Sequence, residues 1–199
     1  MKRVLNVGGS SKSIPISARF DGWQQDLLDV DPRFGVDVVM DARALTNLPG
    51  GYDAVYCSHT LEHFTEDDAQ KVLAEFLHIL KDEGFAEIRV PDFKAACTAA
   101  VERNVELNET LYTINGFDVS LRHIIFGHES EVKRSGKDYW AHKNVYTPKT
   151  LAQDLQRAGF AGAVIAPGDH KKDDFDIVAF AFKTPQPRER VEAILRGDA

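Results

Sequence analysis

Residues 3–11 read RVLNVGGSS. The apolar run Val4, Leu5 and Val7 meets Gly8 and Gly9, the pattern of a buried strand entering a tight loop. Glycine at such a point lets a ligand lie against backbone, because any Cβ would fill that space. Twenty-one residues after Gly8 a second strand, around Leu27 and Leu28, ends at Asp29. A carboxylate there can take both hydroxyls of a ribose. Taken alone, these residues also fit an ordinary strand, a turn and an acidic loop. Two neighbouring readings fail on one or two positions. SSKS (10–13) approaches a phosphate loop, but Ser11 stands where glycine must precede Lys12. The G-x-G-x-x-G of nicotinamide dehydrogenases would need glycine where Ser10 and Ser13 stand.

Outward from this stretch the same unit recurs. Pro15 interrupts Ser10 to Gly22 and leaves room for a turn or two of helix. Val36 to Met40 is a third apolar run, ending at Asp41, and Tyr52 to Ser58 a fourth. Strands that each end in an acid or small polar residue place polar groups along one edge of a parallel sheet, where ligands of open α/β sheets bind. Thr65 to Lys81 is the clearest helix, with Thr65 and Asp68 at capping-box spacing and a stripe of Val72, Leu73, Phe76, Leu77 and Leu80. Gly84 follows its end, Phe85 to Val90 is a fifth strand, and Asp92 to Tyr112 is expected as a helix. Residues 113 to 146 show no sustained period and are expected to form an insert or lid. Thr147-Pro148 opens a helix that Gly159 closes. Ala161 to Ala166 and Asp176 to Phe182 are two final strands, and Gln186 to Gly197 a polar helix or tail. The expected architecture is one doubly wound α/β domain over residues 1–199.

Composition narrows the function. The chain has 199 residues, 43% hydrophobic and 28% charged, enough for one domain with a sizeable core. Its net charge is −7, from 24 basic and 31 acidic residues, which argues against a nucleic-acid partner held by phosphate contacts. No apolar run spans a bilayer, and no signal-peptide core stands at the N-terminus. Cys57 and Cys97 make no disulfide framework. A cytoplasmic protein away from the membrane, monomeric or homodimeric, is the expectation.

The ordered stretches LNVGGS (5–10), GWQQDLLDVDP (22–32), DVVMDARAL (37–45), YDAVYCSHTLEHF (52–64), LKDEGFAEIRVPD (80–92) and AHKNVYTPKTLAQDLQRAGF (141–160) cover most of the chain. In them the chain resembles the class I S-adenosylmethionine-dependent methyltransferases, and more narrowly the bacterial, type 11-like subgroup with a truncated first helix. The resemblance implies a Rossmann-like, seven-stranded, mostly parallel sheet whose last strand is antiparallel. It implies S-adenosyl-L-methionine as cofactor and no metal. Carried over by position, Asn6, Gly8 and Gly9 would line the cofactor loop, although Ser10 stands where a further glycine is usual. Asp29 with Val30 would hold the ribose, Asp41 with Ala42 the adenine, and Ser58 with His59 would lie near the methionine moiety. The acceptor would be a small molecule or saccharide, methylated in line, at a hydroxyl.

Methyl transfer to a hydroxyl needs a group that takes its proton, and histidine suits that task near neutral pH. His142 is the first candidate, with His59, His63 and His123 behind it. Tyr139 or Trp140 can face a sulfonium or an acceptor ring. Two other functions stay open. His59-x-x-Glu62-His63 is the pattern of inverted zinc peptidases; a zinc-dependent hydrolase would need a later carboxylate such as Glu102, Glu106 or Glu109. A non-catalytic binding protein on a methyltransferase fold would account for Ser10 and the short first helix.

Overall fold

The computed structural model describes residues 1–114, 116–168 and 175–198. In chain order the elements are β1 (Arg3–Val7), β2 (Gln24–Asp29), β3 (Val38–Val39), β4 (Tyr52–Ser58), α1 (Glu66–Ile79), β5 (Leu80–Pro91) and α2 (Phe93–Glu102). There follow β6 (Thr110–Ile114), β7 (Phe117–Ser120), α3 (Leu121–Phe126), α4 (Glu129–Ser135), α5 (Pro148–Ala158), β8 (Gly162–Pro167), β9 (Asp176–Phe182) and α6 (Arg188–Arg196). Seven strands form one sheet in the order β3-β2-β1-β4-β5-β9-β8. All pairs are parallel except β5–β9 and β9–β8, so the last strand runs against the rest. This is the doubly wound, mostly parallel sheet that the sequence led us to expect.

The central strands are buried on both faces, so their residues alternate between two cores rather than between core and water. Leu5 and Val7, Val55 and Cys57, Ala86 and Ile88, and Ile177 and Ala179 face α1 and α5. Those helices add Val72, Phe76, Leu151 and Leu155. Val4, Ala54, Tyr56, Phe85, Phe180 and Phe182 face the other way, onto Phe20 and Ile194 of α6. Only one 3-10 turn, Ala18–Phe20, stands between β1 and β2. A third, smaller core joins α2 (Ala96, Ala99, Ala100) to Leu111 of β6 and Ile124 of α3.

Helix ends follow local chemistry. Thr65 caps α1 by accepting from Asp68 N, but Asp68 does not reciprocate, because its carboxylate binds Arg43 and Lys71. Thr147 and Thr150 cap α5 reciprocally, Pro148 opens it, and Gly159 (φ 103) closes it in the left-handed region.

The structure corrects four expected boundaries. The helix expected at 92–112 stops at Glu102: Asn104 turns left-handed (φ 51), and TLYTI (110–114) pairs with Phe117–Ser120 as a separate hairpin. Its β-branched and aromatic residues favour that pairing over helix. Residues 113–146 are built of that hairpin, two short helices and a 3-10 turn at Asp138–Trp140. The third strand shrinks to Val38–Val39. Helix α1 ends at Ile79, since Leu80 (φ −70, ψ 143) already begins β5, and Gly84 lies inside that strand rather than capping the helix. Among the described residues no helix is long and apolar enough to cross a membrane.

Candidate functional site

The carboxyl ends of β1 to β5 and the amino end of antiparallel β9 share one edge of the sheet. Between β1 and its neighbour β4 the chain changes direction across the sheet, and a crevice opens at such a switch point. The Gly8-Gly9 loop and Thr60 meet there. Gly8 has φ +79, and a Cβ on it would stand 2.1 Å from Thr60 Oγ1. A Cβ on Gly9 would stand 2.5 Å from Leu27 Cδ1 and 2.7 Å from Nδ2 of buried Asn6. The chain's own packing therefore requires both glycines, in addition to any ligand. Thr60 Oγ1 donates toward Val7 O (3.2 Å) and Ser58 O (3.1 Å), which ties the two loops together.

Asp29 ends β2 beside this loop, and Gly8 N donates to Leu28 O at 2.8 Å. One Asp29 oxygen accepts from Asp31 N (2.8 Å). Burial raises its carboxyl above the usual range, with the Asp31 N–H pulling the other way. Val30 is exposed next to it. Asp41 caps a 3-10 turn beginning at buried Ala42. Its carboxylate accepts from Arg43 N, Nε and a terminal nitrogen, and that guanidinium holds it below the usual carboxylate range. An adenine amino group would have to compete with Arg43 for Asp41.

Beyond β4 lies a polar cluster. His59 adopts φ 50 as the chain leaves Ser58. Its Nε2 is 3.1 Å from Asp176 Oδ2 and its Nδ1 is 3.4 Å from Glu62 Oε1. Desolvation opposes charge on His59, but Asp176 and Glu62 outweigh it and raise its pKa well above the ordinary value. Glu62 is 1% exposed, and neither oxygen accepts a hydrogen bond among the described residues. Burial would raise its pKa, yet His59 keeps it lowered. His63 Nδ1 donates to Ala141 O (3.1 Å) and His142 Nδ1 to Ile124 O (2.8 Å). Burial, above all, lowers the His63 pKa. The two rings meet edge to face, centroids 4.8 Å apart. Lys143 N and Asn144 N both donate to Glu62 O (2.8 and 3.1 Å), fastening this strap to the turn. One ligand atom from each of Glu62, His63 and His142 lies within 4.8 Å of the others.

This geometry does not favour the zinc-peptidase reading. His59 and His63 share no helix, because Leu61–His63 is a single 3-10 turn. Glu102, Glu106 and Glu109 are exposed. His123 stands apart as a helix cap: its Nδ1 accepts from Ser120 N and its own N–H binds Ser120 Oγ. Tyr139 is 40% exposed. No sequence motif singles out Thr60 or Asp176 for the site. An acid opening the apolar run IVAFAF (177–182) was the available signal, since an antiparallel strand brings its first residue to the edge where its neighbours end. Next to Asp176, a hollow of about 750 Å³ opens between α2 and α5, lined by Asp92, Thr98, Arg103, Thr147 and Phe175.

The family model described as Methyltransferase domain matches residues 2–163. A search of the curated proteins finds no match. Among solved structures, the chain is similar to a SAM-dependent methyltransferase from Archaeoglobus fulgidus, with 16% identity, TM-score 0.51, and 90% of this chain and 85% of that one covered. It is similar to the glycopeptide N-methyltransferase MtfA complexed with S-adenosylmethionine, with 15% identity, TM-score 0.60, and coverage of 93% and 82%. It also resembles the Burkholderia thailandensis 1,6-didemethyltoxoflavin-N1-methyltransferase bound to that acceptor and S-adenosylhomocysteine, with 18% identity, TM-score 0.52, and coverage of 92% and 71%. The chain spans 51% of another neighbour, the methyltransferase SibL, and 62% of a Bordetella parapertussis protein.

Proposed function

The chain belongs to the methyltransferase domain family, and from that premise we propose that it transfers the methyl group of S-adenosylmethionine to a hydroxyl of a small molecule or saccharide. The observation that carries this reading is the convergence of Gly8-Gly9, Asp29, Asp41-Ala42 and Ser58-His59 on one edge of a sheet of this order. In it the glycine loop, over Asn6, would hold the cofactor at the β1–β4 crevice. The second Asp29 oxygen and the backbone at Val30 serve the ribose. The backbone at Ala42 serves the adenine, because Arg43 occupies Asp41. Ser58 and His59 would hold the methionine end of the cofactor, and the imidazoles of His63 and His142 would face the acceptor hydroxyl.

The sulfonium is a strong methyl donor, so the protein's task is to align donor and acceptor in line. As the O–CH₃ bond forms and the S–CH₃ bond breaks, the hydroxyl loses its proton. His63 and His142 each hold Nδ1–H on a backbone carbonyl and keep a lone pair on Nε2. His59, charged between Asp176 and Glu62, is a donor rather than a base. The hollow beside Asp92 and Phe175 has the size of a small-molecule site, and we assign the insert 113–146, whose Ala141 and His142 meet His63, the role of a lid over the acceptor.

Calorimetric titration with S-adenosylhomocysteine tests the assignment. Micromolar binding is expected, weakened more than about tenfold by Asp29→Ala through loss of a charge-assisted hydrogen bond. Folded protein that takes up no S-adenosylhomocysteine overturns it.

A further inference from the structure

Glu62 presents an unusual balance. A carboxylate 1% exposed normally has its oxygens filled by donors, yet here neither accepts a hydrogen bond among the described residues. His59 Nδ1 stands 3.4 Å from Oε1, an ion-pair distance without hydrogen-bond geometry, and Oε2 is left over. Facing it are two imidazoles in a matched state. Each gives its Nδ1–H to a backbone carbonyl, Ala141 O at 3.1 Å and Ile124 O at 2.8 Å, which in the neutral ring puts the lone pair on Nε2. A histidine whose second nitrogen is held by a carbonyl is the usual arrangement of a metal ligand, because the outer bond fixes tautomer and ring direction.

One ligand atom from each of the three side chains lies within 4.8 Å of the others. Ligands about 2.1 Å from one ion stand roughly 3 to 3.5 Å apart, so modest side-chain rotation closes the site. The backbone holds it ready: Lys143 N and Asn144 N clamp the His142 strap onto Glu62 O.

We propose that Glu62, His63 and His142 bind one divalent first-row transition-metal ion, with positions left open for the acceptor oxygen. Two neutral imidazoles and one carboxylate suit zinc, iron, cobalt or manganese better than calcium, which takes six to eight oxygens. Three protein ligands leave the ion unsaturated. The ion's role rests on the methyl-transfer reading. An acceptor hydroxyl bound to it loses its proton to solvent more readily. Its oxygen then forms the O–CH₃ bond while the S–CH₃ pair stays on the sulfur of S-adenosylhomocysteine. In the metal-bound form His63 and His142 are ligands, and acidification of the hydroxyl replaces proton removal by an imidazole.

The test uses the whole protein, stripped of metal by chelation and titrated with Co²⁺, read by its visible absorption. One ion per chain is expected, displaced by Zn²⁺. Glu62→Gln and His142→Ala should each weaken Co²⁺ binding more than about 100-fold, while His78→Ala, on the exposed side of α1, leaves it unchanged. Circular dichroism of each variant separates lost binding from lost fold; should His142→Ala unfold, Glu62→Gln, which keeps the shape and sheds a buried charge, carries the test. Acetohydroxamate, an oxygen donor, should shift the Co²⁺ bands; no shift means a closed site and overturns the acceptor role. Failure to bind Co²⁺ saturably, or equal binding by the variants, overturns the site. S-adenosylhomocysteine titrated into metal-free protein reads the cofactor separately: its binding without Co²⁺ uptake sinks the metal site alone, and Co²⁺ uptake without it sinks the methyl-transfer role.

Discussion

Asp154 of α5 is the buried acid with the poorest compensation outside the site. Its side chain is 9% exposed and meets Arg157 only at 3.7 Å. Burial raises its pKa, and Arg157 offsets this in part. The folded state therefore binds the proton more tightly than the unfolded chain does. The resulting stability is fully present below the unfolded value, about pH 4, and is lost as pH rises through the folded one. Above that pH the charged carboxylate is held at a largely buried position with little hydration. Asp154→Asn should raise the melting temperature at pH 7 by about 2 to 4 °C and make no difference near pH 4. A variant that melts lower at pH 7 would show that Arg157 more than compensates the charge. Glycine positions show the opposite economy: Gly8 and Gly9 were legible in the sequence as a loop, but the reason their Cβ is forbidden was not. That reason is Thr60 and Leu27, 52 and 18 positions further on, and no local pattern reports a contact of that range.

At the scale of elements, the missing first helix leaves one face of the sheet to be covered by other means. Phe20, stacked on Phe85 and edge-on to Tyr56, covers part of it. Ile194 of α6 covers another part, and a buried charge cluster lies between them. Arg89 Nε and a terminal nitrogen bind Glu87 Oε1 (3.0 and 2.8 Å), and Arg19 Nε reaches Oε2 at 2.7 Å while its guanidinium lies 4.4 Å from the Phe180 ring centroid. Glu87 is 0% exposed. Removing it leaves two guanidiniums without the charge they share, so Glu87→Ala should cost about 3 to 5 kcal/mol in urea denaturation. A loss below about 1 kcal/mol would mean the arginines find water or other acceptors. The strands and α1 and α5 were readable because apolar period, caps and closing glycines agree with tertiary demand. The stretch from Asp92 to Tyr112 misled because its alanines continue a helical pattern while Asn104 and the TLYTI pairing, both settled by folding, end it. Among the proposed site residues, Asp29 and Asp41 stand out in the sequence as acids that follow apolar runs, whereas His59 joins the cofactor site only through the family resemblance. The partnership of Glu62 with His142 was not legible, because it joins residues with 79 positions between them.

Across the whole molecule, the division of labour follows the strand order. The first four strands carry the cofactor half of the proposed site, and the later chain returns to complete it: Ala141 and His142 reach His63, and Asp176 reaches His59 across 117 positions. These closures determine when, and not only where, the polar cluster forms. Parallel strand pairs with their intervening helices can condense early, whereas contacts spanning 78 or 117 residues must wait for the chain between them to be ordered. Truncating His63 to alanine should therefore quicken unfolding and leave the refolding rate nearly untouched, a φ-value near zero on a chevron plot; slowed refolding would place the strap in the nucleus instead. A cluster assembled after the rate-limiting step is shielded from selection on folding speed. Its side chains can drift from one acceptor to another over generations while the nascent chain reaches its shape as quickly as before.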